Sequence, residues 1–174
     1  MITNRQDYIA YRNLDLIANK HIEKRIPKLE KFIKRIFFKD LILKFLFLLR
    51  KVEYYKNCKR GLLSNIVLFF YNRKFRKLSK ELGFSIPPNV FGPGLSIAHY
   101  GTIVVNSKCK IGANCRINAC TVIGAAGGRP EVPVLGDNIY IGPGAKIFGG
   151  IKIAGNNAIG ANAVVNKSFT NENI

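Results

Sequence analysis

Acidic residues are scarce: 10 Asp and Glu stand against 28 Lys and Arg, a formal net charge of +18 at pH 7. The imbalance sits mostly in one place. Residues 1–83 hold 21 basic and 7 acidic residues, a net of +14, whereas residues 84–174 hold 7 and 3, a net of +4. The natural complement of the first half is therefore an anionic partner. Long apolar runs are missing too. The most apolar stretch, Ile36 to Leu49, is broken by Lys39, Asp40 and Lys44, which makes it too short and too charged to span a bilayer. Met1–Leu16 carries Arg5, Asp7, Arg12 and Asp15 and lacks an apolar core followed by small residues, so no secretory leader is read there. The chain is expected in the cytoplasm, with the inner membrane surface as the place its basic half would touch. Cysteine occurs four times, at Cys58, Cys109, Cys115 and Cys120, with no CxxC pair and no histidine cluster. That argues against a disulfide framework and for reduced thiols. Cys109 and Cys115 fall six apart at positions where small side chains pack.

Glycine and proline are nearly absent from the first half, where the first glycine is Gly61 and the one early proline is Pro27. Apolar residues recur there at helical spacing, as in Ile26, Leu29, Ile33, Ile36, Phe37 and then Leu41, Phe45, Leu48, Leu49. A second basic helix is expected from Leu62 to Leu82, with Ile66, Leu68, Phe69 and Phe70 on its apolar side and Gly83 as its C-cap. Two roles fit such segments: a helical cap packed on the rest of the chain with its lysines in water, or a basic face lying on anionic lipid. Nucleic acid is not expected, because no recognised nucleic-acid motif accompanies the charge.

The pattern changes near Gly83–Pro88. From Val105 an aliphatic residue returns every six positions, at Ile111, Ile117 and Ile123, and again at Leu135, Ile141, Ile147, Ile153, Ile159 and Val165. A period of six suits neither a helix nor a lone strand, and marks a parallel β-helix whose short strands stack around an apolar interior. Residues 1–83 are thus read as a helical region and residues 84–174 as the β-helix, an α+β chain. The segment 125–133 keeps the phase but has loop composition and is read as an excursion. Continued backwards, the same register reaches position 99, where an inward aliphatic residue is expected and histidine stands. His99 is the only histidine after residue 83. A lone histidine there is equally a solvent-facing corner, a buried ring satisfied by a carbonyl, or a proton-transfer group matched to neutral pH.

The run GLSIAHYGTIVV, followed by IGANCRINACTVIG, then VPVLGDNIYIGPGAKIFGGIKI and IGANAVV, resembles the serine acetyltransferase family over about residues 84–170. The resemblance implies a left-handed parallel β-helix, acetyl-CoA as co-substrate, a homotrimer with shared active sites, and His99 as the general base. It also implies no metal; a β-helical zinc enzyme would need three histidine ligands. By motif matching, Ala125, Pro143 and Ala161 fall at CoA-contact positions, and the backbone N–H groups of Gly124 or Ala125 are candidates to stabilise the oxyanion. Tyr100, Arg129 and Glu131 are the candidate acceptor-binding residues.

Departures from the family pattern bear on the acceptor. The aspartate expected about fifteen residues before the histidine is replaced by the run Phe84-Ser85-Ile86, and the one immediately before it by Ala98. The loop that should grip a serine carboxylate is shorter and reads Arg129-Pro130-Glu131-Val132. Arg129 would take part of that role, and Glu131 would be the nearest loop carboxylate to orient His99. Together with the basic first half, these differences resemble the short members tied to capsule or lipopolysaccharide assembly. The expected activity is acetyl transfer to a hydroxyl of a surface-polysaccharide sugar. Free L-serine is the alternative acceptor, and a non-catalytic membrane-associated scaffold is the alternative of a different class.

Overall fold

Asp40 opens a helix by accepting a hydrogen bond from the Leu43 N–H at 3.0 Å, the usual work of an N-cap carboxylate. In the computed structural model, which describes residues 1–20 and 40–170, three helices precede the strands: α1 (Arg5–Lys20), α2 (Leu41–Cys58) and α3 (Leu62–Leu82). The stretch holding Ile26, Pro27, Leu29, Ile33, Ile36 and Phe37 lies outside the described residues. Gly83 ends α3 in the left-handed conformation at φ 76°, as its position predicts. No helix among the described residues is long and apolar enough to cross a membrane.

The helices pack on one another and on the first strand. Phe45 of α2 stacks on Phe75 of α3 at 5.2 Å between ring centroids and meets Phe84 edge-on at 5.1 Å, so one core runs from the helices into the strands. The buried face of α3 is Phe75, Leu78 and Leu82, with Leu68 and Tyr71 packed beside it. That corrects the expected face, because Ile66, Phe69 and Phe70 are exposed. A period of 3.6 fixes which residues share a stripe, and the neighbours decide which stripe is covered.

Twelve short strands follow, β1 (Phe84–Ser85) to β12 (Val164–Val165), all paired in parallel. They make three faces: β1-β3-β6-β9-β12, then β4-β7-β10, then β2-β5-β8-β11. The hexad residues line up coil over coil, with Val105, Ile123, Ile147 and Val165 in one column and Ile117, Ile141 and Ile159 in another. Removing such a residue from water contributes roughly 1.5–3 kcal/mol. Glycine follows many inward residues for a steric reason. A Cβ at Gly112 would lie 2.7 Å from the carbonyl carbon of Gly136 in the next coil. One corner carries a ladder of asparagines in the left-handed conformation, Asn114, Asn138 and Asn156, linked side chain to side chain at 3.0 and 2.8 Å. Cys109 and Cys115 are fully buried, as their repeat phase predicts.

The register at position 99 is corrected. Ile97, not residue 99, pairs with Ile117 and fills the inward column. The residue of the matching inward column on the following face is Val105, paired with Ile123, eight positions on rather than six; Ile103, six on, is also buried but pairs with Thr121 instead. The two extra residues fall in the corner and push His99 outside the coil.

Two of the few acids hold the halves together. Arg50, with no exposed surface, donates to Asp15 at 2.7 Å and Glu53 at 2.9 Å and to the carbonyls of Phe91 and Gly92 at 3.0 and 2.6 Å. Asp15 accepts from the Gly94 and Leu95 N–H groups at 2.8 and 2.9 Å, and Glu53 from that of Asn89 at 2.7 Å. Burial opposes the charge on Arg50, but the carboxylates of Glu53 and Asp15 more than offset it and hold the guanidinium above its ordinary pKa.

Candidate active site

The corner between β2 (Ser96–Ile97) and β3 (Ile103–Val105) is braced on both sides. Before it, Asn19 of α1 accepts from the Ile97 N–H at 3.1 Å and donates to the Leu95 carbonyl at 2.8 Å. After it, the Gly101 N–H donates to the Leu82 carbonyl at 3.3 Å and the Ile103 N–H to that of Gly83 at 3.1 Å. Gly101 turns at φ 129°, a conformation that suits glycine. His99 and Tyr100 stand exposed at the tip between these anchors. No hydrogen bond or ion pair to the His99 ring is found among the described residues. The backbone is held firmly while the imidazole keeps both nitrogens available.

Below His99 the same corner recurs in each coil, as residues 118–120, 142–145 and 160–163. Gly144 donates to the Ala119 carbonyl at 2.9 Å and Asn162 to that of Pro143 at 2.8 Å. His99, Pro143 and Ala161 therefore share one edge of the prism, and Pro143 and Ala161 are exposed on it. At roughly 4.8 Å per coil they lie about 10 and about 14 Å below the histidine. Small side chains leave this edge open to a long, thin ligand.

Gly124 and Ala125 are on another edge, where β6 (Thr121–Gly124) opens into the loop 125–133 before β7 (Val134–Leu135). Gly124 pairs with Phe148, and its carbonyl accepts from Gly149 at 3.1 Å. Arg129 is exposed near the tip, following Gly127 and Gly128, beside which nothing crowds. Glu131 lies over Gly150, where an added Cβ would approach its own to 2.8 Å. Within one chain the loop and His99 are separated by the whole β1-β3-β6-β9-β12 face, so Glu131 and Arg129 do not sit beside the imidazole of their own chain.

Two cavities lined by described residues do not adjoin His99. One, of about 380 Å³, opens between Met1, Tyr11, Glu53 and the corner at Gly92 and Gly112. The other, of about 570 Å³, runs along α3 at Phe69, Arg73 and Lys77. No group of His, Cys, Asp and Glu able to hold a metal ion occurs among the described residues. Sequence reasoning missed the anchoring residues Asn19, Asp15, Arg50 and Glu53, since lone polar residues in a basic helical stretch give no sign of being buried.

Comparison with known proteins supplies the family resemblance. No family model matches the chain. It is 39% identical over 89 residues to a serine acetyltransferase of Staphylococcus aureus (strain Mu50), covering 49% of this chain and 42% of that one. The serine acetyltransferase of Staphylococcus epidermidis (strain RP62A) matches with the same figures. The chain thus spans less than half the length of these curated relatives. Among solved structures, serine acetyltransferase isoform 3 of Entamoeba histolytica in complex with cysteine superposes with a TM-score of 0.68 at 22% identity, covering 94% of this chain and 56% of that one. The enzyme of Brucella abortus strain S19 gives 0.68 at 23%, over 94% and 63%. A serine acetyltransferase complex with CoA gives 0.66 at 21%, over 94% and 64%. Helices followed by a left-handed parallel β-helix are the architecture shared with these structures.

Proposed function

We propose that this serine acetyltransferase-like chain is an acetyl-CoA-dependent O-acetyltransferase with His99 as its general base. The observation that carries the reading is the placement of His99: exposed, backbone-braced on both sides, and on the edge that also presents Pro143 and Ala161. In the proposed reaction an imidazole nitrogen of His99 takes the proton of the acceptor hydroxyl while its oxygen attacks the thioester carbon. The tetrahedral oxyanion then collapses, the carbon–sulfur bond breaks, and the proton held by His99 passes to the departing CoA sulfur. An acetate ester and free CoA are the products. An alcohol is a poor nucleophile until its proton leaves, so a placed base is worth about 10²–10⁴ in rate.

The site is completed by a second copy in this reading. The face β1-β3-β6-β9-β12 turns Val104 and Val164 outward, 38% and 65% exposed, and is flanked by the histidine edge and the loop edge. Packing that face around a threefold axis brings His99 of one copy toward Gly124, Ala125, Arg129 and Glu131 of the next. A homotrimer with shared sites follows.

The names of the relatives back free L-serine as the acceptor, and no comparison supports a sugar. One observation favours a sugar hydroxyl as a second reading. Among the described residues no carboxylate touches His99, and Phe84 and Ala98, both buried, stand where the family pattern has acids. Thiol release from acetyl-CoA by the full chain, with L-serine or with a polysaccharide sugar as acceptor, separates the two. Release driven by L-serine removes the sugar reading. His99→Ala should lower release by about 10²–10⁴ with an unchanged thermal melt, and full activity in that variant overturns the proposal.

A further inference from the structure

On a helical wheel, α3 buries the stripe that contains Phe75, Leu78 and Leu82. The opposite stripe is exposed along its whole length, and it changes character halfway. In the first half it carries Leu62, Leu63, Ile66, Phe69 and Phe70, between 46% and 79% exposed. In the second half the same arc carries Arg73, Arg76, Lys77 and Lys80, with a single acid, Glu81, at its edge, all exposed. Advancing 100° per residue places all ten within about 140° of arc. This is a single outward face, apolar over roughly 12 Å and cationic over roughly the next 10 Å at 1.5 Å per residue. The groove of about 570 Å³ along Phe69, Arg73, Arg76, Lys77 and Lys80 joins the two halves.

We propose that this outward face of α3 docks on an anionic lipid bilayer, its apolar half at the acyl-chain boundary and its basic half on the phosphate headgroups. The pairing of bulky apolar residues with a cationic cluster on one exposed stripe is the chemistry such an interface requires. A polyanion in water, such as a nucleic acid, would engage the cations and leave Leu62, Leu63, Phe69 and Phe70 unused. A second copy offers poor complementarity. Laying two α3 stripes together sets Arg73, Arg76, Lys77 and Lys80 against apolar residues or against each other. Of the chain's 10 acids, Asp15 and Glu53 are sealed inside, and each copy carries a charge of +18. The proposal does not rest on the acetyl-transfer reading.

The test is flotation of the full chain with vesicles of phosphatidylcholine alone or mixed with phosphatidylglycerol. The chain is expected to float with the mixed vesicles and not with the neutral ones. In the variant Arg73→Gln/Arg76→Gln/Lys77→Gln/Lys80→Gln, partitioning should fall about fivefold per removed charge. In Leu63→Ser/Phe69→Ser/Phe70→Ser, binding should survive at low salt and be lost at high salt, where the charges are screened and the weakened apolar contact no longer holds the chain. All seven positions are exposed, and circular dichroism confirms that both variants fold. Three results overturn the proposal: no flotation with anionic vesicles, flotation indifferent to both variants, or self-association without lipid that the apolar variant abolishes. The last would assign the face to a second copy.

Discussion

Replacing Arg50 with methionine strips the guanidinium from Asp15 and Glu53 and leaves two buried carboxylates without their cation. Removing one partner of a buried ion pair costs about 3–5 kcal/mol. For a chain of 174 residues, at roughly 2–4 °C per kcal/mol, that is a fall in Tm of about 6–20 °C. The sharper case is the triple variant Asp15→Leu/Arg50→Met/Glu53→Leu. Swapping a whole buried ion cluster for apolar residues is often neutral, or stabilising by about 1–4 kcal/mol. The opposite outcome is expected here because the cluster's remaining bonds go to the backbone. Without it, the N–H groups of Gly94 and Leu95 and the carbonyl of Phe91 lose the partners they have, and all three residues are buried. At about 1–3 kcal/mol for each stranded group, the loss is roughly 3–9 kcal/mol. Thermal and urea unfolding followed by circular dichroism measure it. A triple variant that melts at or above the parent temperature would refute the view that this cluster acts as a backbone clamp.

Three further outcomes are expected. Gly142→Ala should destabilise by at least about 1–3 kcal/mol, because its Cβ would sit 2.7 Å from the Ala161 nitrogen, whereas Gly160→Ala, with nothing within 4 Å, should be tolerated; paired urea titrations decide. Asn19→Ala should cost about 1–3 kcal/mol through the unpaired Ile97 N–H and Leu95 carbonyl and lower thiol release through the loosened histidine corner; equal melts and equal rates would count against it. Burial pushes the Cys115 thiol up to about 12 from an ordinary 9.0, so its contribution is intact below about pH 9 and lost as pH rises toward about 12. Unfolding midpoints taken across that window should fall, and fall less in Cys115→Ala; maleimide should label exposed Cys120 well before Cys109 or Cys115.

The coil from Val105 onward was legible because a repeated steric demand writes a repeated letter. Each inward column needs an aliphatic side chain, and each tight approach after it needs a glycine. The limits of α3 were legible for the same local reason, since Gly83 supplies a conformation that other residues resist. The phase change between Ile97 and Val105 was hidden, because a corner can lengthen without altering the residues on either side of it. Also hidden was the exposed face of α3: both of its stripes are apolar in part, and only the neighbours choose between them. The buried roles of Asp15, Asn19, Arg50 and Glu53 depend on contacts between residues as many as 80 positions apart, which no periodicity announces.

Because Ile97 and Val105 keep their inward places whatever lies between them, the corner that carries His99 is mechanically separate from the prism it decorates. Such a scaffold can exchange the reactive tip, lengthen it or graft another chemistry onto it while the aliphatic columns go on supplying cohesion. Catalytic repertoire and folding stability can therefore be altered independently at this one bend.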